Sequence, residues 1–132
     1  MTDTTTTKTR TITLTDRPPV TIKDEDWPVV AEASHKSWDN TYEFQANRTW
    51  KGWLKVRQHE DGRALVYGRD DYDTQFQGED GHCYRGGELL DKGADIAAAI
   101  RRVADGLVAR GANDAMLQIA HECIADLPAV EL

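Results

Sequence analysis

The sequence predicts an α+β fold: an antiparallel β-meander with helices packed on one face. Three observations carry this reading. RTITLTD, residues 10–16, alternates apolar and polar residues. Residues 50–90 repeat that alternation between glycine-bearing turns. From Asp95 onward the apolar residues recur at helical spacing between caps.

In chain order, Ile12 and Leu14 share one face of a strand, with Thr11, Thr13 and Thr15 on the other. Pro18 and Pro19 break it, and Val20 and Ile22 mark a second short extended piece. DEDWPVVAEASHKSW, residues 24–38, predicts a helix. Asp24 or Asp26 caps it, Pro28 fixes its first turn, and Trp27, Val30, Ala31, Ser34 and Trp38 share a face. WKGWLKVRQ and RALVYG flank HEDG, which predicts a hairpin with Gly62 at the position needing positive φ. DYDTQFQ predicts a third meander strand, with Tyr72, Thr74 and Phe76 on one side and Asp71, Asp73, Gln75 and Gln77 on the other. After the GEDG turn, HCYRGGELL supplies a fourth.

Asp95 then caps a helix with a stripe of Ile96, Ile100, Val103 and Leu107. Gly111 ends it. Asn113 caps a last helix burying Met116, Leu117, Ala120, Cys123, Ile124 and Leu127, and Pro128 stops it. With helices on one face only, the other sheet face is expected to meet water. That face carries Trp53, Lys55 and Arg57, with Asp71 and Asp73 on a neighbouring strand.

A chain of 132 residues suits one domain, read here as residues 9–132 behind a threonine-rich disordered leader, 1–8. A hydrophobic fraction of 39% and a charged fraction of 30% fit a folded chain. The net charge of −7 opposes direct binding to nucleic acid or anionic membrane. It leaves little weight for WKGWLKVR as a nucleic-acid stacking platform. No apolar run resembles a signal sequence or membrane span, so a cytoplasmic location with reduced thiols is expected for Cys83 and Cys123.

The stretch richest in chemistry is Arg69–Asp91, with seven carboxylates, two arginines and a His-Cys pair. Zinc at His82, Cys83, His121 and Cys123 fails on spacing, because adjacent strand residues point apart and helix residues two apart do not share a face. Asp71 and Asp73 open like a calcium loop. The positions that follow, Gln75, Phe76 and His82, break that pattern. No metal or cofactor is therefore expected. Cys83 beside His82 lacks the cationic surroundings of a reactive thiolate, and no phosphate loop or nucleophile elbow is present.

What remains is an acidic surface beside an aromatic anchor, with Trp53, Arg57, Asp70, Asp71, Asp73, Glu79 and Asp80 as partner-binding residues. The expected function is a non-catalytic binder or inhibitor that covers a basic protein surface, such as that of a nucleic-acid-processing complex. The alternatives are an antitoxin or immunity protein, and a small enzyme using His82 or Cys83 with nearby carboxylates.

The segments DEDWPVVAEAS, KVRQHEDGRALVYG, GGELLDKGADIAAAIRRVADGL and ECIADLPAVEL resemble small acidic proteins of bacterial phages and integrative elements. That resemblance implies an inhibitor of the anti-CRISPR or anti-restriction type, one that occupies a basic nucleic-acid groove. It implies no active-site residues.

Overall fold

The computed structural model describes residues 8–41, 46–76 and 78–129. Residues 1–7 of the expected leader, and Gln77, lie outside that set.

Strands β1 (Thr9–Ile12) and β2 (Val20–Lys23) form a separate antiparallel ribbon, with Thr9 opposite Lys23 and Ile12 opposite Val20. A single 3-10 turn, Asp24–Asp26, leads into the main sheet. That sheet is an antiparallel meander of β3 (Val29–Thr41), β4 (Ala46–Gln58), β5 (Ala64–Thr74) and β6 (His82–Leu90), paired in that order. Helices α1 (Ile96–Ala109) and α2 (Ala115–Ala125) close the chain and pack on one sheet face. The α+β class and the helices on one face are as the sequence predicts.

The segment expected to be a helix is a strand. Ala31 turns inward and Ala33 packs against the same core, while Glu32 and Ser34 are exposed, a period of two. Trp38, expected on a helical stripe, is 65% exposed. The acids before Pro28 read correctly as the start of an element but of the wrong kind. Val29, Val30, Ser34, His35 and Ser37 all lose more in a helix than straight-chain residues do. In the sheet they gain a ladder with β4 running from Ala31 opposite Val56 to Thr41 opposite Ala46. Long-range pairing overrides the capping signal.

The predicted hairpin forms around Gly62, at φ +97°. The next two predicted strands are one, because β5 runs unbroken through Arg69 and Asp70. Gly68 signals a close approach there rather than a turn: a Cβ would lie 2.3 Å from Leu54 Cδ2.

Asp95 caps α1 by accepting from the Ala98 N–H at 3.0 Å, and Ile100, Val103 and Leu107 are buried. Asn113 Oδ1 accepts from the Ala115 N–H at 2.9 Å at the start of α2. The buried stripe of α2 is Met116, Ile119, Ala120 and Cys123. Leu117, expected in the core, is 45% exposed, and Ile119, not singled out by the pattern, is fully buried. The stripe starts one residue earlier than its leucine suggested. Leu117 and Ile124 instead line a crevice facing Ala104 and Asp105 of α1.

The second sheet face is not left to water. Ile12, Leu14 and Ile22 from the ribbon segment join Trp27, Leu65 and Tyr67 in a smaller core. Thr15 ties this layer to β6, its N–H donating to the Gly87 carbonyl at 2.9 Å and its Oγ1 accepting from the Gly87 N–H at 3.1 Å. The molecule is thus three layers: ribbon, sheet and helices. Among the described residues no helix is long and apolar enough to cross a membrane.

Candidate functional site

The acidic stretch that dominates the sequence is largely neutralised by its own fold. On the ribbon side of β5, Asp71 accepts from Arg69 Nη2 at 2.8 Å. Glu79 is gripped by Arg48, with Nη2 at 2.7 Å and Nε at 3.0 Å, and also accepts from Thr74 Oγ1 at 2.8 Å. Those bonds, Arg48 first, pull the Glu79 carboxyl down to about 2. Glu88 pairs with Arg102 at 2.9 Å. Of the seven carboxylates in the stretch, Asp73, Asp80 and Asp91 remain exposed without an ion-pair partner among the described residues.

Asp70 and Arg57, both expected at the water-facing surface, are interior. Period two places Asp70 on the helix side of β5, opposite in facing to Asp71 and Asp73, and it is fully buried. Its Oδ2 accepts from Trp50 Nε1 at 2.7 Å and from the Asn113 N–H at 2.8 Å, and its Oδ1 lies 2.6 Å from His82 Nε2. Arg57 is 5% exposed, held between Tyr67 of β5 and the Asp24–Trp27 segment. It donates from Nε to the Tyr67 hydroxyl at 2.7 Å and from Nη1 to the Trp27 carbonyl at 2.9 Å. Trp53 is half-buried, edge-on to Tyr67 at 5.5 Å, with Lys55 Nζ 4.9 Å above its ring. It is not the bare aromatic anchor expected.

A buried carboxyl holding a part-exposed imidazole can orient a general base. Among the described residues, no cysteine or serine side chain hydrogen-bonds this pair. Cys83, the alternative partner, is adjacent on β6 and therefore points to the other sheet face, where it is exposed. His82 is instead flanked by the rings of Tyr72 and Tyr84, with centroids at 5.5 and 4.7 Å. The network ties β4, β5, β6 and the start of α2 together. Cys123 lies in the core, and burial raises its thiol to about 11. Among the described residues, no group of three or more His, Cys, Asp or Glu side chains could hold a metal ion.

Three further free carboxylates gather elsewhere. Where β3 begins and β4 turns into β5, a groove of about 570 Å³ is lined by Glu25, Asp26 and Glu60. Its remaining walls are Pro28, Val30, Gln58, His59 and Gly62. All three carboxylates are exposed, and none has an ion-pair partner among the described residues. The neighbouring acids are committed. Asp24 takes a two-pronged bond from Arg10, at 2.7 and 2.8 Å, and Asp61 binds Arg63 at 2.8 Å. Each is held below the usual carboxylate range, Asp24 chiefly by the Arg10 side chain and Asp61 chiefly by the Arg63 backbone N–H.

Comparison with protein-family models, curated proteins and solved structures gives no match.

The groove residues were visible in the sequence only as punctuation. DED was read as a helix cap and HEDG as a turn. Two turns rich in acid, at opposite ends of β3–β4, were the available signal. Recognising it required knowing that β3 is a strand, because only then do residues 25–26 and 60 meet at one end of the sheet.

Proposed function

We propose that this is a non-catalytic binding protein that seats basic side chains of a partner in the groove between Glu25, Asp26 and Glu60. In doing so it covers a basic protein surface, of the kind that holds nucleic acid in a bacterial complex. The observation that carries the reading is the groove itself: three uncommitted carboxylates around an apolar floor of Pro28 and Val30. Lys and Arg side chains have that same composition, an apolar stem ending in a charge. A net charge of −7 adds long-range attraction to a cationic partner. The inhibitor type implied by the resemblance, one occupying a basic nucleic-acid groove, uses this physics.

The test is kinetic. A partner captured from bacterial lysate at low salt is bound to the wild type, to the Glu25→Lys/Asp26→Lys/Glu60→Lys variant, and to an Asp73→Lys/Asp80→Lys control. The groove variant is expected to associate at least about tenfold more slowly, and the control to change little. Equal losses in both variants would mean that net charge alone is responsible. No loss in the groove variant would remove the site.

A further inference from the structure

A second cavity lies between the ribbon and the sheet, and it has the opposite character. It is a half-open crevice of about 250 Å³, lined by Arg10, Arg69 and Arg85, together with Thr13, Trp53 and Tyr67. Three arginines lining one small crevice is an unusual use of cations in a chain of net charge −7.

The charges do not cancel. Arg10 is matched by Asp24 and Arg69 by Asp71. Arg85 is exposed and has no ion-pair partner among the described residues, so the cavity keeps a positive surplus. Arg69 is also incompletely used: its Nη2 binds Asp71, but its Nε is buried without an acceptor. A buried donor left unmade is costly, and a small turn of the guanidinium toward a bound oxyanion would satisfy it.

We propose that this cavity binds a phosphate oxyanion, either free or as the monoester of a small molecule. Arginine forks match phosphate oxygens, and the unpaired Arg85 fork together with the unused Arg69 Nε offers donors to several oxygens of a tetrahedral group, whereas one fork satisfies a planar carboxylate. The size argues for a small carrier. The cavity is below the range of about 300–1,000 Å³ typical of drug-sized ligands. A nucleic-acid backbone is disfavoured by the overall negative charge. The site is independent of the acidic groove, which uses none of these residues.

The experiment is calorimetric titration of the full chain with inorganic phosphate, glucose 6-phosphate and uncharged glucose. Saturable binding of phosphate or of the ester is expected, with none for glucose. The stronger of the two identifies the source of the oxyanion. Arg85→Ala should weaken binding by at least about tenfold, and Arg85→Lys by less, because it keeps the charge but loses the fork. Arg101→Ala removes an exposed charge on α1, outside the cavity, and should bind as wild type. Thermal melts establish that each variant is folded, as the exposure of Arg85 leads one to expect. The proposal is overturned if neither phosphate species saturates, if Arg85→Ala binds as wild type, or if Arg101→Ala loses as much as Arg85→Ala.

Discussion

Replacing Asp70 by alanine should be among the most damaging single changes in the protein, although it sits in a run of acids that looks like solvated surface. Three partners depend on its carboxyl: Trp50 Nε1 at 2.7 Å, the Asn113 N–H at 2.8 Å and His82 Nε2 at 2.6 Å. Trp50 is 6% exposed, so its indole N–H would be orphaned in the core at a cost of about 1–3 kcal/mol. His82 and the start of α2 are nearer solvent and recover part of their loss with water, leaving a total of about 3–6 kcal/mol once the new void is included. A chain of 132 residues has roughly 7–20 kcal/mol in all. Asp70→Asn keeps one acceptor oxygen and should cost about 1–3 kcal/mol. Asp73→Ala should stay within about 0.5 kcal/mol, and Asp71→Ala within about 1 kcal/mol, since it gives up only a partly exposed ion pair. Urea unfolding checks the series: with a slope near 2 kcal/mol per molar, Asp70→Ala should lower the midpoint by about 1.5–3 M. An Asp70→Ala midpoint indistinguishable from that of Asp73→Ala would refute the buried network.

Three further outcomes follow from the same structure. Ile119→Ala should cost about 2–5 kcal/mol in chemical denaturation, whereas Leu117→Ala, at a site 45% exposed, should cost less than about 1 kcal/mol. The reverse order would place the other face of α2 against the sheet. Glu79 titrates at about 2 when folded and near 4.5 when unpaired, so its bonds to Arg48 and Thr74 stabilise fully above the higher value. That stabilisation is lost as pH falls from there through about 2. Acid unfolding followed by circular dichroism should therefore lose part of its slope in that window in Glu79→Gln. Finally, a thiol reagent near neutral pH should modify Cys83 in the native protein and spare Cys123, which is buried with its thiol raised to about 11. Mass spectrometry showing two labels on the folded chain would contradict that burial.

The elements governed by local chemistry were legible in the sequence: the Gly62 hairpin, the Asp95 cap, the alternation of Ile12 and Leu14. What was not legible depends on partners distant in sequence. Residues 24–38 carry a plausible helix start at Asp24–Pro28, and only the β4 ladder makes Val29–Thr41 a strand. Asp70 and Asp71 are neighbours of identical chemistry, yet strand alternation buries one under Trp50 and leaves the other with Arg69. Composition could not separate them, because the deciding fact is which face α2 covers. Arg57 was misplaced for the same reason: nothing local announces that Asp24 and the Trp27 carbonyl, 30 residues earlier in the latter case, close over it.

The ribbon's attachment has a dynamic consequence. It shares a small core with the sheet, through Ile12, Leu14, Ile22, Trp27, Leu65 and Tyr67, while the helices hold a far more extensive core on the other side. Segments with fewer buried contacts open at lower free energy than the whole protein unfolds. Residues 9–23 are therefore expected to open as a unit, with amides that exchange with solvent before those of β4 and β5. Arg10 belongs to that unit, whereas Arg69 and Arg85 belong to the sheet. The arginine cavity is thus complete only while the ribbon is closed, and any anion held there would act as a latch on it, slowing exchange across the ribbon in proportion to its occupancy.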